Sequence, residues 1–533
     1  MYLHNGRIYT MDPACPVVSA LAIRDGRIIS AGSDAAILGE FCGLMPGQDL
    51  KGKTVLPGLT DAHIHLQHYA LNLDKVDCET STRAECLARV AERASQAKPG
   101  EWVLGHGWNQ NNWPEGFGSA ADLDAISPEN PVYLTAKSLH AAWANTAALR
   151  LGGLRDDSSD PPDGRLGRDT SGRLDGILFE SAMELVSAVT PEPSVEELAG
   201  KIRTAQTALW RMGVTGVHDF DRRSCFQALQ ALHENGELHL RVLKSIPLED
   251  LPHAAGLGLR TGFGDDWLKI GGVKVFADGA LGPQTAAMLQ PYDGSGENRG
   301  FLFMDAEELF EHGRLAVENG LPLAVHAIGD RANHAVLDAI DQLRRFESER
   351  LAQTSGNGRT RLRHRIEHVQ LIHPDDAGRL AALGVVASMQ PIHATSDMEM
   401  ADRFWGERAG YSYAWKLQIE HEAVLAFGSD APVESPNPFW GLHAAVTRRR
   451  TDGSPGPEGW IPAQKLSLQQ AFEAYTTGPS YAAGWEDRQG KLAPGYFGDL
   501  LLLDSDPFEI PAEEIHSIAP RATMVGGEWV FRR

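Results

Sequence analysis

The sequence predicts an α/β protein: a (β/α)8 TIM barrel with a small β-sandwich domain formed from both chain termini and an insertion after barrel strand 1. Three observations in its 533 residues predict this. Eight apolar, strand-length runs lie between residues 55 and 428 with helical patterns between them, which argues for parallel strands joined by helical crossovers. Both ends of the chain read as short β runs with turns, and neither is long enough for a convincing sheet of its own. Five of the apolar runs break abruptly into histidine, lysine or aspartate, and a (β/α)8 barrel gathers its reactive groups at the C-terminal strand ends. The expected domains are 1–56 as the first part of the sandwich, 57–485 as the barrel with 70–194 inserted, and 486–533 as the second part of the sandwich.

At the N-terminus, Leu3–Tyr9, Leu21–Ser30 and then Thr54-Val55-Leu56 alternate β-type runs with turns, and Asp25-Gly26 suits a tight primed hairpin turn. The eight barrel strands are expected at Val55–His65, Thr215–Phe220, Leu238–Ile246, Ile270–Ala277, Leu321–Ala327, Leu362–Val369, Val385–Met389 and Val424–Gly428. The insertion carries strand-like Trp102–Leu104 and Val132–Ala136, a helical Ala141–Leu151 and a Pro/Asp/Gly-rich stretch from Asp156 to Gly176. Asp499–Leu503 and Ala522–Phe531 return to strand, with a turn at Gly526-Gly527.

His63-Ile64-His65 ends the first barrel strand. About one His-x-His is expected by chance from the 20 histidines, so its placement matters more than its presence. On a strand, residues i and i+2 share a face, so both imidazoles can converge on one ion. Lys274 lies within Gly272-Val273-Lys274-Val275-Phe276, on the fourth strand. Either it points outward from an edge strand, or it is a desolvated amine whose lowered pKa exposes a nucleophile able to take up carbon dioxide as a carbamate. His326 ends the fifth strand and His368 the sixth, each individually open to a reading as an ordinary hydrogen-bonded histidine. Asp430 follows the eighth strand, where the alternative to ligation is helix capping.

Together these segments resemble the amidohydrolase superfamily of metal-dependent hydrolases, and within it the branch (amidohydrolase family 3) that includes YtcJ-like proteins and N-substituted formamide deformylase. The likeness covers nearly the whole chain. It includes GHGWNQNNWP (105–114), SLHAAWANTAAL (138–149), KVFADGALGPQTAAM (274–288), HAIGDRA (326–332), GSDAPVE (428–434) and the return strand GKLAPGYFGDLLLLD (490–504). The resemblance implies His63 and His65 as ligands of one divalent metal ion, Lys274, carboxylated by carbon dioxide, as the bridge, and His326 and His368 as ligands of a second. It implies Asp430 as both metal ligand and catalytic proton shuttle. Imidazole and carboxylate ligands suit zinc best.

The implied reaction is hydrolysis of a carbon–nitrogen, non-peptide amide bond by metal-activated hydroxide, with N-substituted formamides or related small amides as substrates. A mononuclear deaminase or cyclic-amide hydrolase on the same scaffold is the rival within hydrolases, and Lys274 argues against it. A catalytically silent barrel acting as a binding module is the rival of another class. The presence of all six ligand-type residues speaks against that one.

Candidate substrate contacts are Trp108, Trp113, His140 and Arg331. The cluster Trp108, Asn109, Gln110, Asn111, Asn112, Trp113 and Phe117 either closes over the metals as a lid or builds the insertion's own core. His140 is a candidate for the substrate carbonyl, and Arg331 either orients an acidic group or pairs locally. His218-Asp219 is a candidate pair for orienting a ligating imidazole. His364 is expected to face a helix, Arg448-Arg449-Arg450 to form a solvated helix end, and 356–363 to be a basic loop.

Hydrophobic content of 42% is enough for a large core, and 71 acidic against 49 basic residues give a net charge of −22. That balance disfavours nucleic acid and anionic membrane as partners, since both need a basic footprint. The expected partners are a small amide-type molecule and, in an allowed homodimer, a second copy. No run of eighteen apolar residues and no basic-then-apolar leader pattern is present, so a cytoplasmic location is expected. The five cysteines are scattered without Cys-x-x-Cys spacing and are expected to be buried free thiols.

Overall fold

The computed structural model describes residues 1–110, 113–137, 141–162, 164–191, 193–353 and 361–533. One sheet holds eight strands in sequential order: β1 (Leu59–Ile64), β2 (Val214–Asp219), β3 (Arg241–Pro247), β4 (Leu268–Phe276), β5 (Leu323–Ala327), β6 (Arg365–His368), β7 (Val386–Met389) and β8 (Leu425–Phe427). Every neighbouring pair is parallel. The sheet all but closes into a barrel where β8 returns to β1: the Asp430 amide donates to the His63 carbonyl at 2.7 Å and the His65 amide to the Ala431 carbonyl at 2.9 Å.

Each expected barrel run carries one of these strands. Every residue of β1, β2, β6, β7 and β8 is buried, as in a parallel sheet covered on both faces. Helices Arg223–Glu234, Ala306–Glu318, Asp330–Gln353 and Pro391–Trp405 supply crossovers; Leu309, Val336, Ile340 and Met398 of the last three lie in one core with Val325 and Ile366. Gly428 allows the close approach at the seam. A Cβ there would stand 2.4 Å from the His63 amide nitrogen and 2.8 Å from Asp61 Oδ1.

The expected single strand Val55–His65 is two strands. Thr54–Pro57 belongs to the terminal sheet and β1 begins at Leu59, because Pro57-Gly58 breaks the run and Gly58 packs where a Cβ would meet Thr215 at 2.2 Å. Thr54–Pro57 pairs antiparallel with Leu500–Leu503, so both termini do build one domain. Its two sheets run Arg27–Gly32, Ala20–Arg24, Tyr2–His4, Gly47–Asp49, and Glu528–Arg532, Ala522–Val525, Leu500–Leu503, Thr54–Pro57, Arg7–Tyr9, Val17–Val18. They share a core of Leu3, Ile8, Leu21, Val55, Leu500 and Met524. Asp25 and Gly26 have φ of 50° and 75°, as the primed turn requires.

The chain divides into two compact units, residues 1–67 with 199–533, and residues 68–198. The second unit is a six-stranded sheet ordered Gly164–Arg168, Leu174–Glu180, Ala141–Ala144, Val132–Ala136, Val103–Trp108, Val76–Asp77, with helices Arg83–Gln96 and Ala120–Ile126 packed in the same unit. One expectation is corrected there. Ala141–Ala144 is a strand, and the helix starts only at Thr146 because the Asn145 side chain caps it, accepting from the Ala148 amide at 2.9 Å. The Pro/Asp/Gly-rich stretch Asp156–Gly176 carries Gly164–Arg168 and the start of Leu174–Glu180, paired as a hairpin.

Cys78, Cys86 and Cys225 are buried as expected, whereas Cys15 and Cys42 are exposed. Arg448 is not solvated. It is fully buried, closes helix Pro438–Thr447 at φ 58°, donates to the carbonyls of Tyr413 and Trp460, and lies over the rings of Trp415 and Trp460. Among the described residues, no helix is long and apolar enough to cross a membrane.

Candidate metal centre

All six ligand-type residues stand at or just beyond the C-terminal ends of β1, β4, β5, β6 and β8. His63 Nε2 and His65 Nε2 each lie 3.5 Å from Asp430 Oδ1. Ligand atoms of His63, His368 and Asp430 all lie within 4.8 Å of one another. The His368 ring is 4.9 Å from that of His63 and 4.5 Å from that of His326, centre to centre. Two of these positions carry backbone strain, with φ of 77° at His368 and 60° at Asp430. Holding a non-glycine residue there costs of order 1–3 kcal/mol, and such strain persists where surrounding structure over-determines it.

Each imidazole is fixed by a partner on its other nitrogen. His63 Nδ1 meets Glu367 Oε2 at 2.6 Å, His65 Nδ1 meets Asp221 Oδ1 at 3.1 Å, and His368 Nδ1 meets Gln390 Oε1 at 2.8 Å. These oxygens accept, so the proton sits on Nδ1 and the Nε2 lone pair is left for a ligand. His326 is turned the other way, donating from Nε2 to the Gly279 carbonyl at 3.0 Å. His63 Nε2 is buried without a hydrogen-bond partner, which leaves its lone pair available to a cation. The donor set therefore fits divalent metal: neutral imidazoles with oriented lone pairs around a carboxylate.

Burial, reinforced by the Lys274 charge, holds three of the four imidazoles neutral: His63 and His368 fall well below the usual histidine range, and His326 to about 3. At His65, burial would lower the pKa, but Asp221 and Asp430 outweigh it and raise it. Lys274 is buried, with Nζ 4.8 Å from the ring centres of both Phe220 and Phe276. Desolvation brings its amine down to about 8, so the outward-pointing reading does not hold.

Sequence reading missed most of the supporting groups. Glu367 is fully buried and receives the Arg365 guanidinium, which also donates to the Ala62 carbonyl at 2.7 Å and Ser388 Oγ at 2.6 Å and faces His218 Nδ1 at 2.7 Å. Arg365 and Glu367 alternate on one face of β6, and that spacing was visible in Arg-Ile-Glu-His. Asp61 ties β1 to the β8 loop by accepting from the Ser429 amide and hydroxyl. Burial raises Asp61 and Asp278 to about 7, and Asp278 accepts the amides of Ala287, Ile328 and Gly329 to join the loops after β4 and β5. His393 stacks on His368 at 6.1 Å.

The expected second-strand carboxylate is displaced by two residues. Asp219 pairs instead with Lys244 Nζ at 2.9 Å, and Asp221 orients His65. Asp221→Asn is expected to weaken metal binding by about 10–100-fold, read by competition with a chromophoric chelator. Unchanged affinity would remove Asp221 from the centre.

The candidate substrate contacts fare differently. Trp108 and Trp113 are buried in the second unit's core, stacked at 6.1 Å, with indole N–H groups donating to the carbonyls of Leu134 and Thr80. Of the two readings of these tryptophans, the structure gives the core. His140, Asn111 and Asn112 lie outside the described residues, as does 356–360 of the basic loop. Arg331 is exposed at the start of helix Asp330–Gln353 and is engaged through its backbone amide. His364 does face a helix, with Nε2 3.6 Å from Glu347.

The sequence profile described as the amidohydrolase family matches residues 47–531. The chain is 34% identical to Protein LONG AFTER FAR-RED 3 of Arabidopsis thaliana, over 99% of this chain and 91% of that one. It is 27% identical to an N-substituted formamide deformylase of Arthrobacter pascens, over 99% and 98%. A crystal structure of an uncharacterized metal-dependent hydrolase from Pyrococcus horikoshii superposes with a TM-score of 0.80 at 30% identity, covering 96% of this chain and 98% of that one.

Proposed function

This chain belongs to the amidohydrolase family, and from that premise we propose that it hydrolyses a carbon–nitrogen bond of a small, non-peptide amide at a centre of two divalent cations, zinc by preference. The observation that carries the reading is the convergence of His63 Nε2 and His65 Nε2 on Asp430 Oδ1, at 3.5 Å each, with both Nδ1 atoms held by carboxylates. His63, His65, His326, His368 and Asp430 would hold the ions, and bound cations would polarise the scissile carbonyl and make water nucleophilic near neutral pH.

The chain's own residues supply the remainder. Asp430 takes the proton of the attacking water and returns it to the leaving nitrogen, a base that becomes an acid. Glu367, Asp221 and Gln390 keep the imidazoles in the ligating tautomer. Lys274 reacts as its neutral amine with carbon dioxide, forming a nitrogen–carbon bond and releasing a proton. The carbamate so formed would replace a buried cation by an anionic ligand for divalent cations, which an ammonium would repel.

The substrate class follows from the likeness to the N-substituted formamide deformylase, with related small amides as the wider set. The test is a hydrolysis screen of the zinc-loaded chain against N-substituted formamides, acetamides, carbamates and cyclic imides. Turnover of a formamide that disappears on chelation is expected. A folded, metal-free protein without amide hydrolysis would end the reading, and activity on cyclic imides alone would favour the mononuclear rival.

A further inference from the structure

Phe276 is the last residue of β4, two beyond Lys274, so the two side chains share the face that looks into the barrel. Its ring centre lies 4.8 Å from Lys274 Nζ and 5.2 Å from the His326 ring. Yet Phe276 is 50% exposed. A phenyl ring on an inward strand face, touching two candidate ligand residues and half open at the mouth, does not complete the apolar core. Phe220 provides the contrast: it stacks on His63 at 4.2 Å, also lies 4.8 Å from Lys274 Nζ, and is only 5% exposed. One aromatic seals the lysine from below, and the other leaves a face free. On the β8 side, Val433, three residues past Asp430, is also exposed at 37%. The tryptophans that sequence reading put forward as the aromatic wall are occupied elsewhere, in the core of the second unit.

We propose that Phe276 is the specificity-determining residue of this site, receiving the aryl or other bulky apolar substituent of the substrate while the scissile carbonyl lies at the ligand set. The proposal rests on the hydrolase reading above and narrows it: amides with an aromatic or branched apolar substituent are favoured over methyl or unsubstituted ones. The physical basis is removal of two apolar surfaces from water, and Phe276 already presents its half of that surface.

The test needs no turnover. Binding of phenylacetate and of acetate to the zinc-loaded full chain is measured by calorimetry, since both share the carboxylate and only one carries a ring. The wild-type chain is expected to prefer phenylacetate by about tenfold or more, and Phe276→Ala to reduce the preference to about threefold or less at unchanged zinc content. Phe276→Leu, which keeps an apolar side chain, should recover most of the preference. A wild-type chain with no preference, a Phe276→Ala variant that keeps it, or one that loses zinc would each overturn the assignment. The third result would make the ring a support for Lys274 instead. The hydrolysis screen is judged separately: a chain that turns over nothing yet shows the Phe276-dependent preference loses the reaction and keeps the subsite.

Discussion

Replacing Lys274 with alanine should strip metal from the centre and lower hydrolysis by more than about 100-fold, the upper end of what loss of a mere supporting partner costs. The residue is buried, its Nζ is wedged between the rings of Phe220 and Phe276, and no carboxylate pairs with it among the described residues. An ammonium in that position would oppose the cations that the neighbouring imidazoles are arranged to bind. A carbamate would attract both. Short carboxylic acids should therefore restore part of the activity of Lys274→Ala, because a free carboxylate can occupy the vacated position.

The pH dependence has a definite sign. Carbon dioxide reacts with the neutral amine, and desolvation places the Lys274 pKa at about 8. About half of the amine is neutral at pH 8 and only a few per cent at pH 6.5. Reactivation of stripped protein by zinc and bicarbonate should accelerate across that interval. Retention of metal and turnover by Lys274→Ala would make this lysine a structural cation, and the chemistry of the centre would have to be redrawn.

The second large effect is on stability. Glu367→Gln should cost about 3–5 kcal/mol in chemical denaturation, because it leaves the Arg365 guanidinium buried without its charge partner. Burial alone would raise the Glu367 carboxyl, but Arg365 and Lys274 outweigh it and hold it below the usual glutamate range. The pair is enclosed by His218, Ser388 and the Ala62 carbonyl, so water cannot enter cheaply to solvate the orphaned cation. The same substitution slackens the hold on His63 Nδ1, and metal affinity should fall as well. A variant within 1 kcal/mol of the wild type, roughly the value of an exposed pair, would show that solvent reaches Arg365.

The barrel was legible because eight strand-length runs alternate with helical patterns, and because ligand-type residues at their ends marked the C-terminal face of the barrel. What failed was local. Thr54–Leu56 was read both as the last β run of the terminal domain and as the start of a strand Val55–His65, and the break at Pro57-Gly58 assigns it to the terminal sandwich. Trp108 and Trp113 could not be assigned from composition, since a lid and a core draw on the same residues. The left-handed backbone of His368 and Asp430 leaves no trace in residue type. Asp221 was missed because it acts on His65 across 156 positions of chain, and an adjacent Asp219 offered a nearer but wrong candidate. Glu367 was hidden by its neighbour: the histidine beside it drew the reading, though a glutamate in a buried strand needed an explanation of its own.

The central claim is a two-cation centre bridged through Lys274, and elemental analysis of the purified chain, stripped and reconstituted with zinc in bicarbonate, tests it most directly. Two tightly held zinc ions per chain are predicted, with fewer in Lys274→Ala. No tightly held metal, or a single equivalent indifferent to Lys274→Ala, would contradict it.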